Sequence, residues 1–545
     1  MTADLIILPE RVRTLEPAPS ATAGAAPSGV AGAAPSATAE GVAVAGGRIV
    51  AVGGRDAVLA WRGPATEVVT LPDACLLPGF HDAHVHLGQH GLELAAVALH
   101  DLPTIDGALA RVAERARTTP AGTWITGAGF ALERWGVSAR DTSVLSAAAL
   151  DAVAPDHPVL LRSQDLHAGW ANRAALRAAA IHRYTPDPEH GTIARDAEGE
   201  PSGYLIEHAV DMVSRTIPVP DGATLAAAVR AAGADMAARG ITTVHHMAFE
   251  SPAGWRAIAD AASGDDYPLR VWACIPHADV EHAAAIGLAG GHGGERFTIG
   301  GAKFFADGAL GSRTAWMLEP YLGSSDRGMQ VEPAEVLLER FRLVAEAGFT
   351  PVTHAIGDAA VRVVLEALEA TADAWRPAAL LPRIEHAQHV HPDDVARLGR
   401  LGVVASMQPI HLTFDAASIV SLLGDRQERA FPMRSLAAAG AVLAFGSDAP
   451  VAMPDVLAGL RAAVRRRGTD GTPLPLHEAL DVETALRAFT HGAATAIGRG
   501  HRSGLIRVGF DADLVLLDHD PVDSLDDLQV LGTVSAGRFT YRAGD

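Results

Sequence analysis

The chain holds one lysine among 44 Lys and Arg side chains, and that lysine, Lys303, lies in the apolar run Ile299-Gly300-Gly301-Ala302-Lys303-Phe304-Phe305. Where only positive charge is wanted, arginine serves throughout this chain. A lone lysine points to work a guanidinium cannot do. A primary amine in an apolar site can give up its proton and act as a nucleophile or combine with CO2, whereas arginine stays charged. The plain alternative is that an Ala- and Arg-rich composition has depleted lysine and one survives by chance. The company Lys303 keeps argues for the first reading.

In Pro78-Gly79-Phe80-His81-Asp82-Ala83-His84-Val85-His86, His84 and His86 are two apart, so on an extended strand both imidazoles face one side. Further on come Val352-Thr353-His354, Ile384-Glu385-His386 and Phe445-Gly446-Ser447-Asp448, each closing a short apolar run. Neutral imidazoles and a carboxylate suit Zn2+ or a similar divalent ion, with positions left for water. An ammonium cannot ligate a metal. Lys303 fits the set if CO2 has made it a carbamate, a carboxylate on a long arm that can bridge two ions. Most of the 24 histidines are not drawn into this set, and a lone strand histidine such as His245 or His389 reads as packed.

Elements must bring these residues together. Apolar runs at residues 75–80, 241–247, 269–275, 297–305, 350–354, 383–386, 403–407 and 442–446 supply eight strands. Amphipathic helices fall between them, such as 335–347, with Val336, Leu337, Phe341, Val344 and Ala345 on one face and Gly348 as its stop. Eight strand-then-helix units predict an α/β fold, a closed parallel (β/α)8 TIM-like barrel whose working residues sit at the carboxyl ends of its strands. Residues 73–496 form this barrel, with a large insertion at about 88–235 after the first strand. Strand-like pieces at 124–129 and 159–162 imply that the insertion has its own small fold. Short β-like pieces at both chain ends, in 1–72 and 497–545, predict one small β-sandwich domain. Residues 17–40, almost all Ala, Pro, Ser, Gly and Thr, read as a flexible excursion from it.

Composition narrows the function class. Apolar residues make up 48% and charged residues 20%, as in a well-cored globular protein. A net charge of −20 argues against nucleic-acid or anionic-membrane partners, since both need a basic footprint. No apolar run reaches transmembrane length and the first residues lack a signal-peptide pattern, so the expectation is a soluble cytoplasmic protein with a homodimer left open. Cys75 and Cys274 have no metal-type spacing and read as buried free thiols.

Together these segments carry a family resemblance, from about Gly47 to Asp520. The chain resembles the amidohydrolase superfamily, and within it the family 3 branch that includes proteins like N-substituted formamide deformylase. The resemblance rests on the Pro78–His86 segment, on Lys303-Phe304-Phe305-Ala306-Asp307-Gly308-Ala309-Leu310-Gly311-Ser312-Arg313-Thr314-Ala315, on His354-Ala355-Ile356-Gly357-Asp358, and on Ile384-Glu385-His386 and Gly446-Ser447-Asp448-Ala449-Pro450. The insertion adds Asp165-Leu166-His167-Ala168-Gly169-Trp170-Ala171-Asn172 and Gly203-Tyr204-Leu205-Ile206-Glu207, with Leu166 a departure where similar proteins tend to have Gly.

The resemblance implies two zinc ions. His84, His86 and Asp448 would hold one, His354 and His386 the other, with carboxylated Lys303 between them. It implies hydrolysis of a small-molecule amide at a carbon–nitrogen bond outside peptides, with N-formyl or N-acyl compounds in view, by metal-activated water and with Asp448 as general base and then acid. Gln408 and His411 after the seventh strand, Arg313 after the lysine strand, and His167 and Trp170 in the insertion are candidates for substrate contact. A lactonase or esterase, a deaminase, and a binding module without catalysis are the alternatives. The deaminase is disfavoured because Ala355-Ile356-Gly357-Asp358 follows His354 where a close Glu is expected.

Overall fold

The computed structural model describes the chain except Met1, residues 17–38, 100–101, 131, 133–134, 138–142, 164–167, 190 and Asp545. The excursion expected at 17–40 therefore lies almost wholly outside the described residues, as does His167. Contacts divide the chain into two units, Met1–Leu87 with Ala232–Asp545, and Gly88–Ala231.

In the first unit, eight strands pair in parallel and in chain order: β1 Phe80–Val85, β2 Ile241–His246, β3 Arg270–Pro276, β4 Phe297–Phe305, β5 Thr350–Ala355, β6 Arg383–His386, β7 Val404–Met407 and β8 Val442–Phe445. The ring closes just past β8, where Ala449 bridges in parallel to Val85 of β1. Strand alternation orients the lysine. The Phe304 ring meets Phe341 of the helix Ala334–Glu346 edge-on at 5.0 Å. Phe304 therefore faces the helical layer, and Lys303 and Phe305 face the other way, into the barrel. Burying an aromatic side chain such as Phe304 or Phe341 is worth about 1.5–3 kcal/mol and anchors this register. Leu337, Val344 and Ala345 of the same helix are buried beside Phe341, and Gly348 follows in the left-handed region at φ +77°.

The first barrel strand differs from the expectation. The run 75–80 does not open the barrel, because its first residues end the strand Glu67–Pro78 of a separate sheet, with Cys75 to Pro78 paired antiparallel to Leu514–Leu517. The change of partner takes one residue. The Gly79 N–H donates to the Asp513 carbonyl at 2.8 Å, and the Phe80 N–H donates to Gly240 at 3.0 Å. A Cβ at Gly79 would stand 2.4 Å from Thr242, so only glycine lets the chain pass this close. An apolar run does not mark where its hydrogen-bonding partner changes.

The small sheet from both chain ends is a seven-stranded path in the order Arg538–Arg542, Val530–Ser535, Leu514–Leu517, Glu67–Pro78, Leu5–Val12, Gly41–Ala45, Arg48–Gly53. Asp520 ties the ends together, accepting from Arg11 at 2.6 Å and from Arg13 at 2.7 Å. The second unit carries a six-stranded sheet in the order Gly191–Arg195, Pro201–Glu207, Ala168–Ala171, Val159–Ser163, Ile125–Phe130, Val97–Ala98. Its helix Ile105–Thr118 is capped by Thr104, whose hydroxyl accepts from the Gly107 N–H. Cys75 and Cys274 are buried free thiols, and burial pushes both up to about 12.

Candidate metal centre

The site forms at the carboxyl ends of the strands, around the seam between β1 and β8. Asp82 organises that seam. Its Oδ1 accepts from the N–H groups of His84 at 3.1 Å and Ser447 at 3.0 Å, and its Oδ2 accepts from the Ser447 hydroxyl at 2.5 Å. Burial raises the Asp82 carboxyl to about 6, against the pull of those hydrogen bonds. Gly446 permits the approach, since a Cβ there would meet the His84 nitrogen at 2.5 Å and Asp82 Oδ1 at 2.7 Å.

Two of the expected ligands have left-handed backbone, His386 at φ 71° and Asp448 at φ 63°. Each costs on the order of 1–3 kcal/mol for a residue other than glycine, and such strain collects at functional sites. At His386 the turn also breaks strand alternation. A neighbour of Glu385 would ordinarily point to the opposite face. Here Glu385 Oε2 lies 2.7 Å from His84 Nδ1, and the His386 ring lies 4.9 Å from the His84 ring, so both side chains reach the interior.

The donors converge. Asp448 Oδ1 stands 3.4 Å from Nε2 of both His84 and His86. The ligand-capable atoms of His84, His86 and Asp448 lie within 4.8 Å of one another, and so do those of His386, His411 and Asp448. The His354 and His386 rings are 4.3 Å apart. Lys303 is 1% exposed, its Nζ has no hydrogen-bond partner among the described residues, and it lies 5.2 Å from the centre of the Phe305 ring.

Electrostatics suit a metal ion. Burial, then the nearby Lys303, lowers His84 to about 4 and His354 to about 3. Burial and the adjacent His354 hold His386 well below its ordinary value, so all three rings are neutral at pH 7. Burial raises Asp448, but its contacts with the surrounding imidazoles, a hydrogen bond from His86 among them, more than offset it and hold the carboxyl well below its ordinary value. Burial lowers the Lys303 amine, which favours the neutral form.

Two tautomers follow from hydrogen bonding. A carboxylate only accepts, so His84 Nδ1 carries the proton and Nε2 offers its lone pair beside Asp448. His354 Nε2 lies 3.0 Å from the Gly308 carbonyl and donates to it, which leaves the lone pair of Nδ1 free. Neutral rings with free lone pairs, an ionised carboxylate and a buried unpartnered amine fit a divalent ion.

The substrate candidates fare unequally. His411 enters the ligand cluster itself, with Nε2 3.2 Å from the Ser447 carbonyl. Gln408 is fully buried after β7, and neither of its amide atoms has a partner among the described residues. Arg313 is exposed, in a turn at φ 55°. Trp170 is a correction: it is fully buried in the core of the second unit and its indole N–H donates to the Ser146 carbonyl at 2.9 Å, so it packs and cannot meet a substrate. His245 is packed as expected, with Nδ1 2.9 Å from Arg383. The supporting carboxylates were missed. Asp82 and Glu385 stand beside ligands in both motifs. Asp307 accepts from the N–H groups of Trp316, Ile356 and Gly357 at 2.8–2.9 Å and is raised by burial to about 7. Their proximity in sequence to the ligands was the available signal.

A parallel barrel that gathers such donors at the carboxyl ends of its strands is the architecture of a metal-dependent hydrolase of the amidohydrolase type. Residues 67–541 match the amidohydrolase family, and the chain belongs to it. It is 34% identical over 492 residues to the Bacillus subtilis (strain 168) protein YtcJ, provisionally named an amidohydrolase, over 88% of this chain and 91% of that one. It is 29% identical over 529 residues to N-substituted formamide deformylase of Arthrobacter pascens, over 90% and 94% of the two chains. An uncharacterized metal-dependent hydrolase from Pyrococcus furiosus shares the fold, with a TM-score of 0.75 at 24% identity over 95% of this chain and 99% of that one.

Proposed function

We propose that this protein hydrolyses the carbon–nitrogen bond of a small non-peptide amide, with N-formyl and N-acyl compounds the leading class. The observation that carries the reading is Asp448 Oδ1 at 3.4 Å from both His84 and His86, beside a buried lysine amine that no described side chain satisfies. The relative named N-substituted formamide deformylase supports the choice of bond.

His84, His86 and Asp448 would hold one zinc ion and His354 and His386 a second, with the carbamate of Lys303 between them; His411 stands close enough to His386 and Asp448 to complete either set. When bound, such ions polarise the carbonyl and bring the pKa of water toward 7. Asp448, ionised and in reach of the same space, accepts the proton of the attacking water as the carbon–oxygen bond forms. It returns that proton to the leaving nitrogen as the carbon–nitrogen bond breaks. Glu385 and the Gly308 carbonyl keep the His84 and His354 lone pairs turned inward. Phe305 lines the lysine side of the site, its ring 5.2 Å from that of His354 and 5.3 Å from that of Phe249, and offers an apolar wall to a substituent.

A hydrolysis screen of the zinc-loaded protein over N-formyl, N-acyl and cyclic amides, with esters and aminopurines as controls, tests the reading. Turnover of amides above esters is expected. Faster turnover of esters, or release of ammonia from the amines, would replace it with a lactonase or a deaminase.

A further inference from the structure

Below the ligands, inside the barrel, lies an arginine that the chemistry above does not use. Arg383 is 0% exposed, on β6, two residues before Glu385. All three of its guanidinium nitrogens are engaged. Nε donates to Glu385 Oε1 at 2.8 Å, and one terminal nitrogen donates to His245 Nδ1 at 2.9 Å. The other donates to the Ala83 carbonyl at 2.6 Å, to the Ser406 hydroxyl at 2.9 Å and to Glu385 Oε2 at 3.2 Å. The guanidinium also lies 5.4 Å from the centre of the Trp272 ring. One side chain thus holds β1, β2, β3, β6 and β7 at their common centre.

We propose that Arg383 is a positioning residue of the metal centre, acting through Glu385 to fix the tautomer and orientation of His84. The argument is geometric. Glu385 is fully buried and its two oxygens are both held by the guanidinium, so Oε2 has one place to stand, 2.7 Å from His84 Nδ1. A carboxylate there forces the proton onto Nδ1 and turns Nε2 toward Asp448. Carboxylate partners of this kind orient metal-binding histidines, and losing one costs about 10–100-fold in metal affinity. The carboxylate here needs its own support, because Glu385 alone has several rotamers and a shared barrel interior to choose from. Only a planar fork supplies donors in five directions; the ammonium of lysine is a point charge and cannot. This assignment rests on His84 being a metal ligand.

The test is cobalt or zinc affinity, by competition with a chelating dye, in Glu385→Gln, Arg383→Lys and the double variant. Arg270→Lys serves as control, since Arg270 is also buried and paired, with Asp513 at 2.7 Å, away from the ligands. Each single variant is expected to lose 10–100-fold in affinity and to alter the cobalt absorption bands, with the metal-free melting temperature close to that of Arg270→Lys. The double variant should lose no more than Glu385→Gln alone, because the arginine acts through the glutamate. Should Arg383→Lys not fold, Arg383→Gln takes its place alone and in the double variant, and wild-type affinity in a folded Arg383 variant would overturn the assignment. Wild-type affinity in Glu385→Gln, additive losses in the double variant, or an equal loss in Arg270→Lys would each overturn the assignment. A wild-type protein that binds no divalent ion would instead overturn the reading on which it rests.

Discussion

His84 and Asp448 meet twice: the Asp448 N–H donates to the His84 carbonyl at 2.7 Å, and Asp448 Oδ1 lies 3.4 Å from His84 Nε2. The first contact is part of the seam that closes the barrel between β1 and β8, and the second is part of the candidate ligand set. Closing the fold and assembling the site are therefore one event. A change at the seam should be read in both stability and metal binding.

Gly446→Ala tests that coupling. The added methyl would meet the His84 nitrogen at 2.5 Å and the Ala83 nitrogen at 2.9 Å, both backbone atoms that cannot swing away. The variant is expected to melt lower, by an overpacking cost of about 1–3 kcal/mol or more, and to lose metal in parallel. Thermal melts and metal analysis of the same preparations check this, and a variant that loses stability with metal content unchanged would separate the two.

Asp448→Asn keeps the size of the side chain but removes the proton acceptor. Turnover should fall by about 10²–10⁴ with the metal-free melting curve nearly unchanged. More than roughly a tenth of the wild-type rate would be incompatible with a general base of ordinary worth.

Active protein should contain about two divalent ions per chain, lose activity on chelation and regain it when zinc returns. Elemental analysis giving one ion or none in fully active preparations would refute the bridged pair.

Lys303→Arg keeps a positive charge that cannot take up CO2, and it would press a permanent cation against the ligands; it should lose both metal and activity. Lys303→Ala should be inactive, with partial rescue by formate, acetate or propionate filling the space of the carbamate. An active Lys303→Arg protein would require another account of the chain's one lysine.

The acid side of the stability curve should be steep. Burial above all lowers His81, His246 and His389 to about 3 from an ordinary 6.5. None of the three is an expected ligand. Between those values the unfolded chain takes up protons that the folded chain refuses, so the stability these rings contribute is full above pH 6.5 and is lost as pH falls below it, partly offset by Asp82 and Asp307, which burial raises to about 6 and about 7. Each ring contributes up to about 1.4 kcal/mol per pH unit. Melting temperatures of chelator-treated protein should drop from pH 6.5 to 5, and a flat profile across that range would contradict neutral burial of these rings.

Much of this was written locally. Short continuous apolar runs with helical patterns between them located seven of the eight barrel strands, because a strand buried on both faces reads as an unbroken apolar segment. The chemistry of the donors was equally local: His-x-His, a single lysine, and histidines and an aspartate closing apolar runs. Tertiary structure decided what neighbours cannot encode. It moved the start of the first barrel strand from 75 to Phe80, since only pairing with Leu514–Leu517 shows that Cys75 to Pro78 belong to another sheet. It withdrew Trp170 into a core and brought His411 into one cluster with His386 and Asp448. It turned His386 inward against strand alternation through a left-handed φ, and set Arg383 and Glu385 beneath His84. Residue type and spacing specify which atoms can bind a metal; where those lone pairs point depends on hydrogen bonds between strands far apart in the chain, and these exist only once the barrel has closed.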